Sequence, residues 1–204
     1  WNVDRVLRAI KDRGRDLDTA VADWAMWDDT YQFASDGNKE YVEANLMPET
    51  FEGLKIHALL IADVAGKVVW GKVREQESAR LQPVPTDLAR LLKPGALLTR
   101  FTPQRERILG MVLLDDGLML VAARPILTSE RGGPARGALM MGRYLDENTV
   151  RSLSESLRMQ ITAFRVDALP KRPGLEHTLA ALSAGKSSVI RARNATTITG
   201  YGLV

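Results

Sequence analysis

Residues 23–31 read Asp-Trp-Ala-Met-Trp-Asp-Asp-Thr-Tyr (DWAMWDDTY): two tryptophans, a tyrosine and three carboxylates within nine positions of a chain that is 6% aromatic. What this cluster means depends on the period of the residues before it. Apolar residues recur at Val3, Val6, Ile10, Leu17, Ala20, Trp24, Trp27 and Tyr31. Steps of three, four or seven are the spacing of one helical face. Residues 2–34 contain no proline and a single glycine, Gly14. They predict one helix, about 50 Å long at 1.5 Å per residue, ending near Ser35-Asp36-Gly37-Asn38, where Gly or Asn takes the left-handed cap. On such a helix Trp24, Trp27, Asp28 and Tyr31 stand at i, i+3, i+4 and i+7 and share a face, while Asp23 and Asp29 turn away.

Outward from the helix the periodicity changes. Residues 56–61 and 67–73 are β-rich runs around Asp63-Val64-Ala65-Gly66, a hairpin signal. A short helix is predicted over 86–92, capped by Thr86 or Asp87 and stopped before Pro94. Strands follow at 108–114 and 118–126 around the Asp115-Asp116-Gly117 turn, then at 138–145 after the Arg131-Gly132-Gly133-Pro134 loop. A helix is expected from 146 to about 159, a strand at 161–166, a helix at 175–183, and strands at 188–193 and 197–204. The fold class is α+β: a long N-terminal helix on an antiparallel sheet, in the element order of a PAS-like sensor lobe. The domains expected are a sensor lobe over 1–160 and a smaller lobe over 161–204. A chain that begins without Met and ends on a strand reads as a piece of a longer protein.

Composition narrows the function. A chain of 204 residues supports one good-sized core. The 28 basic residues nearly balance the 25 acidic ones. The densest basic run, Lys11-Asp12-Arg13-Gly14-Arg15-Asp16, alternates signs as a solvated helix face does, so no nucleic-acid partner is expected. With no cysteine there is no disulfide, no thiolate nucleophile and no cysteine zinc site. No apolar run approaches the roughly 20 residues of a membrane span.

Catalysis has little material. His57 and His177 are the two histidines, and neither has a second ligand at metal spacing, so both read as structural or solvated. Asp115-Asp116-Gly117 lacks the glutamate of a calcium loop and is a turn. Asp28 and Asp29 diverge by about 100° on a helix and cannot act together on one bond. No catalytic residue, metal or cofactor is expected. Trp24, Trp27 and Tyr31 pack as core aromatics with their polar atoms bonded. Asp28, on the same face, needs a cationic or N–H partner. Arg124 and Arg143 are the candidates, because each interrupts an apolar strand. Two readings stay open: a structural Asp–Arg pair, or a pocket in which the pair and the aromatic rings also hold a small molecule.

The motif D-W-x-x-W-D-D-T-Y-x-F at 23–33, followed in order by Tyr41, Asn45-Leu46, Asp63-x-x-Gly66, Arg124-Pro125-Ile126-Leu127 and Met141-Gly142-Arg143, resembles the CHASE-type sensory domains of the fourth type. The resemblance covers about residues 10–160 and implies that the smaller lobe over 161–204 is a membrane-proximal continuation. It implies a Cache-like fold with no catalytic residues of its own. It also implies a periplasmic location between two flanking transmembrane helices, ahead of a histidine kinase, diguanylate cyclase or cyclic-di-GMP phosphodiesterase. The ligand-binding residues expected are Trp24, Trp27, Asp28, Tyr31, Arg124 and Arg143, with an unknown small-molecule signal as partner. The stripe at Val3, Val6, Ile10 and Leu17 would join two copies in a weak homodimer. The competing function is a cytosolic PAS- or GAF-like ligand-binding regulator.

Overall fold

A computed structural model of the chain describes residues 2–75, 78, 80–102, 106–163, 175–184, 189–192 and 198–201. The predicted helix over 2–34 is two helices, α1 (Asn2–Ala25) and α2 (Asp28–Asp36). The break has a physical cause on both sides. The Ala25 carbonyl accepts the Leu127 N–H at 3.0 Å instead of an intrahelical donor. Trp27 takes an extended conformation, φ −81° and ψ 136°, as the residue that caps α2. Asp28 and Asp29 then fall in the first turn of α2, where carboxylates meet the positive end of the helix dipole. The far end matches expectation: Gly37 is left-handed at φ 59°, and its N–H donates to the Phe33 carbonyl. Asn38 accepts the Tyr41 N–H to start α3 (Lys39–Asn45), and Pro48 opens α4 (Pro48–Gly53).

Six antiparallel strands follow: β1 (Ala58–Asp63), β2 (Val68–Arg74), β3 (Leu81–Gln82), β4 (Ile108–Leu114), β5 (Gly117–Pro125) and β6 (Gly137–Tyr144). Their order is β3-β2-β1-β6-β5-β4, so the strands earliest and latest in the sheet pair at its centre. Between β3 and β4 lie α5 (Thr86–Arg90) and a 3-10 turn at Leu97–Thr99. Thr86 and Asp87 do not cap α5; Pro85 holds that position, and Asp87 accepts the N–H groups of Leu88 and Asp115. The β1–β2 turn closes as the sequence indicates. The Asp63 carboxylate accepts the Ala65 and Lys67 N–H groups at 2.9 Å each, and Gly66 is left-handed at φ 72°.

The two-residue period sorts the strands into two cores. Leu59, Ile61, Leu120, Ala122, Leu139 and Met141 pack with Leu17, Val21, Trp24, Phe33 and Phe51 from the helices. Their neighbours Leu60, Met119, Val121 and Met140 pack on the other face with Leu88, Leu92 and Leu98. Because both faces are covered, the central strands read as nearly unbroken apolar runs. The architecture is α+β and PAS-like, as expected.

The chain forms two compact units, Gly14–Asp146 and the described residues of Trp1–Arg13 with Glu147–Val204, so α1 contributes to both. The second unit holds α6 (Glu147–Leu157), α7 (Leu175–Ser183) and the hairpin of β7 (Val189–Ala192) with β8 (Ile198–Tyr201). Within it Arg13 donates to the Ser152 hydroxyl at 3.1 Å. Of the strand expected at 161–166, residues 161–163 are irregular and 164–166 lie outside the described residues. Among the described residues no helix is long and apolar enough to cross a membrane.

Candidate functional site

The aromatic cluster forms a corner between α1 and α2, clamped by the β5–β6 loop. Trp24, with 8% of its surface exposed, lies in the core. The break at Met26 folds Trp27 back onto it, with ring centroids 4.9 Å apart and planes 21° from parallel. Asp28 points into the loop: one carboxylate oxygen accepts the Ser129 N–H at 3.0 Å, the other the Ser129 hydroxyl at 2.8 Å. Those two bonds, the backbone N–H first, hold the Asp28 carboxyl below its ordinary pKa. Tyr31 donates its hydroxyl to the Pro134 carbonyl at 3.1 Å and carries the Arg136 guanidinium 4.1 Å above its ring. Inside the corner Thr30 and Tyr41 share a buried hydroxyl–hydroxyl bond of 2.6 Å.

The pairing of Asp28 with Arg124 or Arg143 is therefore corrected. Arg124 Nε and Nη2 each donate at 2.8 Å to the two carboxylate oxygens of Asp18, and Arg107 adds a third bond at 3.0 Å. Arg143 donates to the carbonyls of Lys55, at 2.5 Å, and Leu54, at 3.0 Å. Both arginines point to the helix-covered face, as their spacing from Leu120 and Leu139 requires, but they lie far apart along the strands. Arg124 is opposite Leu139 and Arg143 opposite Leu120, a four-residue offset of about 13 Å at 3.3 Å per residue. One carboxylate cannot serve both.

Sequence reasoning missed Asp18, which is only 4% exposed. Burial pushes its carboxyl up, yet the bonds and charges of Arg124 and Arg107 outweigh burial, and its pKa lies below the ordinary value. A signal was present. Asp18 stands three residues before Val21 and seven before Ala25, so it shares the inward ridge with both.

Two open depressions of the described surface are lined by none of the six expected ligand-binding residues. An open cleft of about 410 Å³ at the β2–β6 end is bordered by Arg74, Glu75, Gln82, Pro83, Pro85, Asp116 and Tyr144. A groove of about 440 Å³ between α2 and α3 is bordered by Asp29, Asp36, Glu40 and the amides of Gln32, Asn38 and Asn45. Asn45 also ties its own helix by donating to the Tyr41 carbonyl at 3.2 Å. Among the described residues no cluster of side chains has the composition of a metal site. Asp28, Tyr31, Arg124 and Arg143 are thus each tied to other parts of the chain, while Trp24 and Trp27 stack on one another.

With that geometry established, the match of residues 9–163 to the CHASE4 domain decides the family. The chain is a CHASE4 domain. Over 165 residues this CHASE4 chain is 30% identical to the methanogenesis regulatory histidine kinase FilI of Methanothrix harundinacea (strain 6Ac). The alignment takes in 79% of the CHASE4 chain and 18% of the kinase, so the chain spans less than a fifth of that relative. Family and likeness together make it a sensor domain of a signalling protein.

Proposed function

We propose that this CHASE4 domain is the extracytoplasmic signal-input module of a prokaryotic transmembrane signalling protein, itself without catalytic activity. In this reading transmembrane helices flank it, on the periplasmic face of the inner membrane, and a cytoplasmic output domain does the chemistry. The supporting observation is that the chain aligns with only 18% of a histidine kinase, the share expected of an input module. A histidine kinase is accordingly the favoured output, ahead of a diguanylate cyclase or phosphodiesterase.

The unknown signal is a small molecule. The cleft at the β2–β6 end suits one carrying both charges, because Arg74, Glu75 and Asp116 border it together with Tyr144 and two prolines.

The absence of cysteine supplies the test. Val64, 72% exposed in the β1–β2 turn, is replaced by cysteine in the full-length protein, and intact cells are treated with a membrane-impermeant maleimide. Labelling in intact cells is the expected result. Labelling only after permeabilisation overturns the extracytoplasmic reading.

A further inference from the structure

His57 precedes β1 and is held in place by β6. Its N–H donates to the Gly142 carbonyl at 2.8 Å, and its own carbonyl accepts the Arg74 N–H. The imidazole lies between two groups of opposite demand. Nδ1 accepts the Tyr144 backbone N–H at 3.2 Å. Nε2 stands 3.9 Å from an Asp146 carboxylate oxygen, with the two side chains only 16% and 10% exposed. The Tyr144 ring meets the imidazole edge-on at 5.5 Å between centroids. An Nδ1 that accepts a hydrogen bond carries no proton, so the ring is the neutral tautomer with its hydrogen on Nε2.

We propose that His57 is a proton-operated latch at the end of β6. A proton taken from solvent onto Nδ1 removes the acceptor of the Tyr144 N–H and turns the Nε2 contact with Asp146 into an ion pair. One protonation thus releases the backbone of Tyr144 and tightens the hold on Asp146, the residue immediately before α6. The two effects act within three consecutive residues of the chain.

Among the described residues, the charged groups facing the ring come from three places. Arg74 on β2 and Arg143 on β6 oppose a cationic ring, and Asp146 favours one. Both arginines are engaged, Arg143 by the Leu54 and Lys55 carbonyls and Arg74 by Glu52 of α4 at 3.5 Å. Burial is the largest influence and depresses the imidazole pKa, Asp146 raises it, the two arginines lower it, and the net direction is down. A depressed folded value means that the neutral, latched form is favoured fully above the ordinary histidine value of about 6.5. The latch is lost as pH falls from there through the folded value. Tyr144, held up to about 12 by burial first and then by Asp116 and Asp87, does not titrate in this range. The latch goes beyond the signal-input reading, because it belongs to the chain on either side of a membrane.

The test uses the 204-residue chain by NMR between pH 8 and pH 5. With His177 as the one other histidine, His57→Gln assigns the His57 ring signal. Amide exchange at Tyr144 is converted to protection, which removes the intrinsic base-catalysed rate. The expected result is a His57 midpoint below the ordinary value and a loss of about tenfold in Tyr144 protection, one hydrogen bond's worth, at that same midpoint. In His57→Gln the protection becomes independent of pH. Should that variant fold poorly, Asp146→Asn keeps the imidazole and moves both midpoints together to lower pH. Protection at Tyr144 that ignores pH in the parent chain, a loss that persists in His57→Gln, or an unmoved midpoint in Asp146→Asn overturns the latch.

Discussion

Arg124 grips Asp18 through two parallel hydrogen bonds, Nε to one carboxylate oxygen and Nη2 to the other, each 2.8 Å long. The pair joins α1 to β5 from within the core, where removing one partner strands a charge. Arg124→Ala should therefore destabilise the chain by about 3 kcal/mol, the low end for a broken buried pair, because Arg107 still reaches Asp18. The double change Asp18→Leu with Arg124→Met should lose less than Arg124→Ala alone. Urea titration of the three proteins measures both.

The same pair sets the acid limb of stability. The folded pKa of Asp18 is depressed, so its contribution is complete above the unfolded carboxylate value of about 3.9 and drains away as pH falls through the folded value. Asp18→Asn should be less stable at pH 7 and should lose less on acidification below pH about 4. Parallel slopes for the two proteins in melts at pH 5, 4 and 3 would deny the pair this role.

Trp24 and Trp27 stack, yet they differ in burial. Trp24→Ala should cost about 3–5 kcal/mol as a truncated core aromatic. Trp27→Ala, half-buried at the corner, should cost clearly less. The double mutant should show a coupling of about 0.5–1.5 kcal/mol from the ring–ring contact. Denaturant curves of the double-mutant cycle give all three values.

Asp28 fastens the β5–β6 loop through Ser129. Asp28→Ala should leave the fold intact and open that loop. Limited trypsinolysis at Arg131 and Arg136, both exposed, should speed up several-fold, and Ser129→Ala should give a smaller rise. Unchanged cleavage in Asp28→Ala would mean that the loop is held by Tyr31 and Leu127 alone.

Association through α1 has less surface than its stripe suggests. Leu17 is fully buried and Ile10 is 8% exposed, which leaves Val3 and Val6 half-open. We propose that a weak homodimer uses these two, and Val6→Asp should abolish concentration dependence in sedimentation while Leu17→Asp unfolds the chain. A Val6→Asp protein that associates like its parent excludes the seam.

The strands were legible because a sheet covered on both faces writes long apolar runs into β1, β5 and β6, and the turns at Asp63 and Gly117 mark their ends. The helix break was harder to read. Apolar steps of three and four run unbroken from Trp24 through Tyr31, and no Gly or Pro marks the corner. What breaks the helix is a donor from Leu127, about 100 residues away, which no local pattern records. Its one local trace is the acidic pair Asp28-Asp29, a first-turn signature set inside an apparent helix interior. The partners of Arg124 and Arg143 failed for a related reason. Interrupting an apolar strand singled out both arginines, but choosing a partner needed their positions along the strands.

The strand order β3-β2-β1-β6-β5-β4 also dictates how the molecule comes together in time. The pairs β1–β2 and β4–β5 are hairpins that close over a few residues, whereas Ala58 meets Gly142 across most of the domain. Closing a loop of roughly 80 residues costs about 2.5 kcal/mol more than closing a five-residue turn. The β1–β6 seam thus forms late and limits the folding rate. Gly142 stands on that seam opposite Ala58, and a Cβ added there would lie 3.2 Å from the Ala58 Cβ across it, besides crowding Met119 on β5. A side chain at this position obstructs the joining of two halves that have already formed, and the half-sheets it leaves behind carry open edges on which chains aggregate.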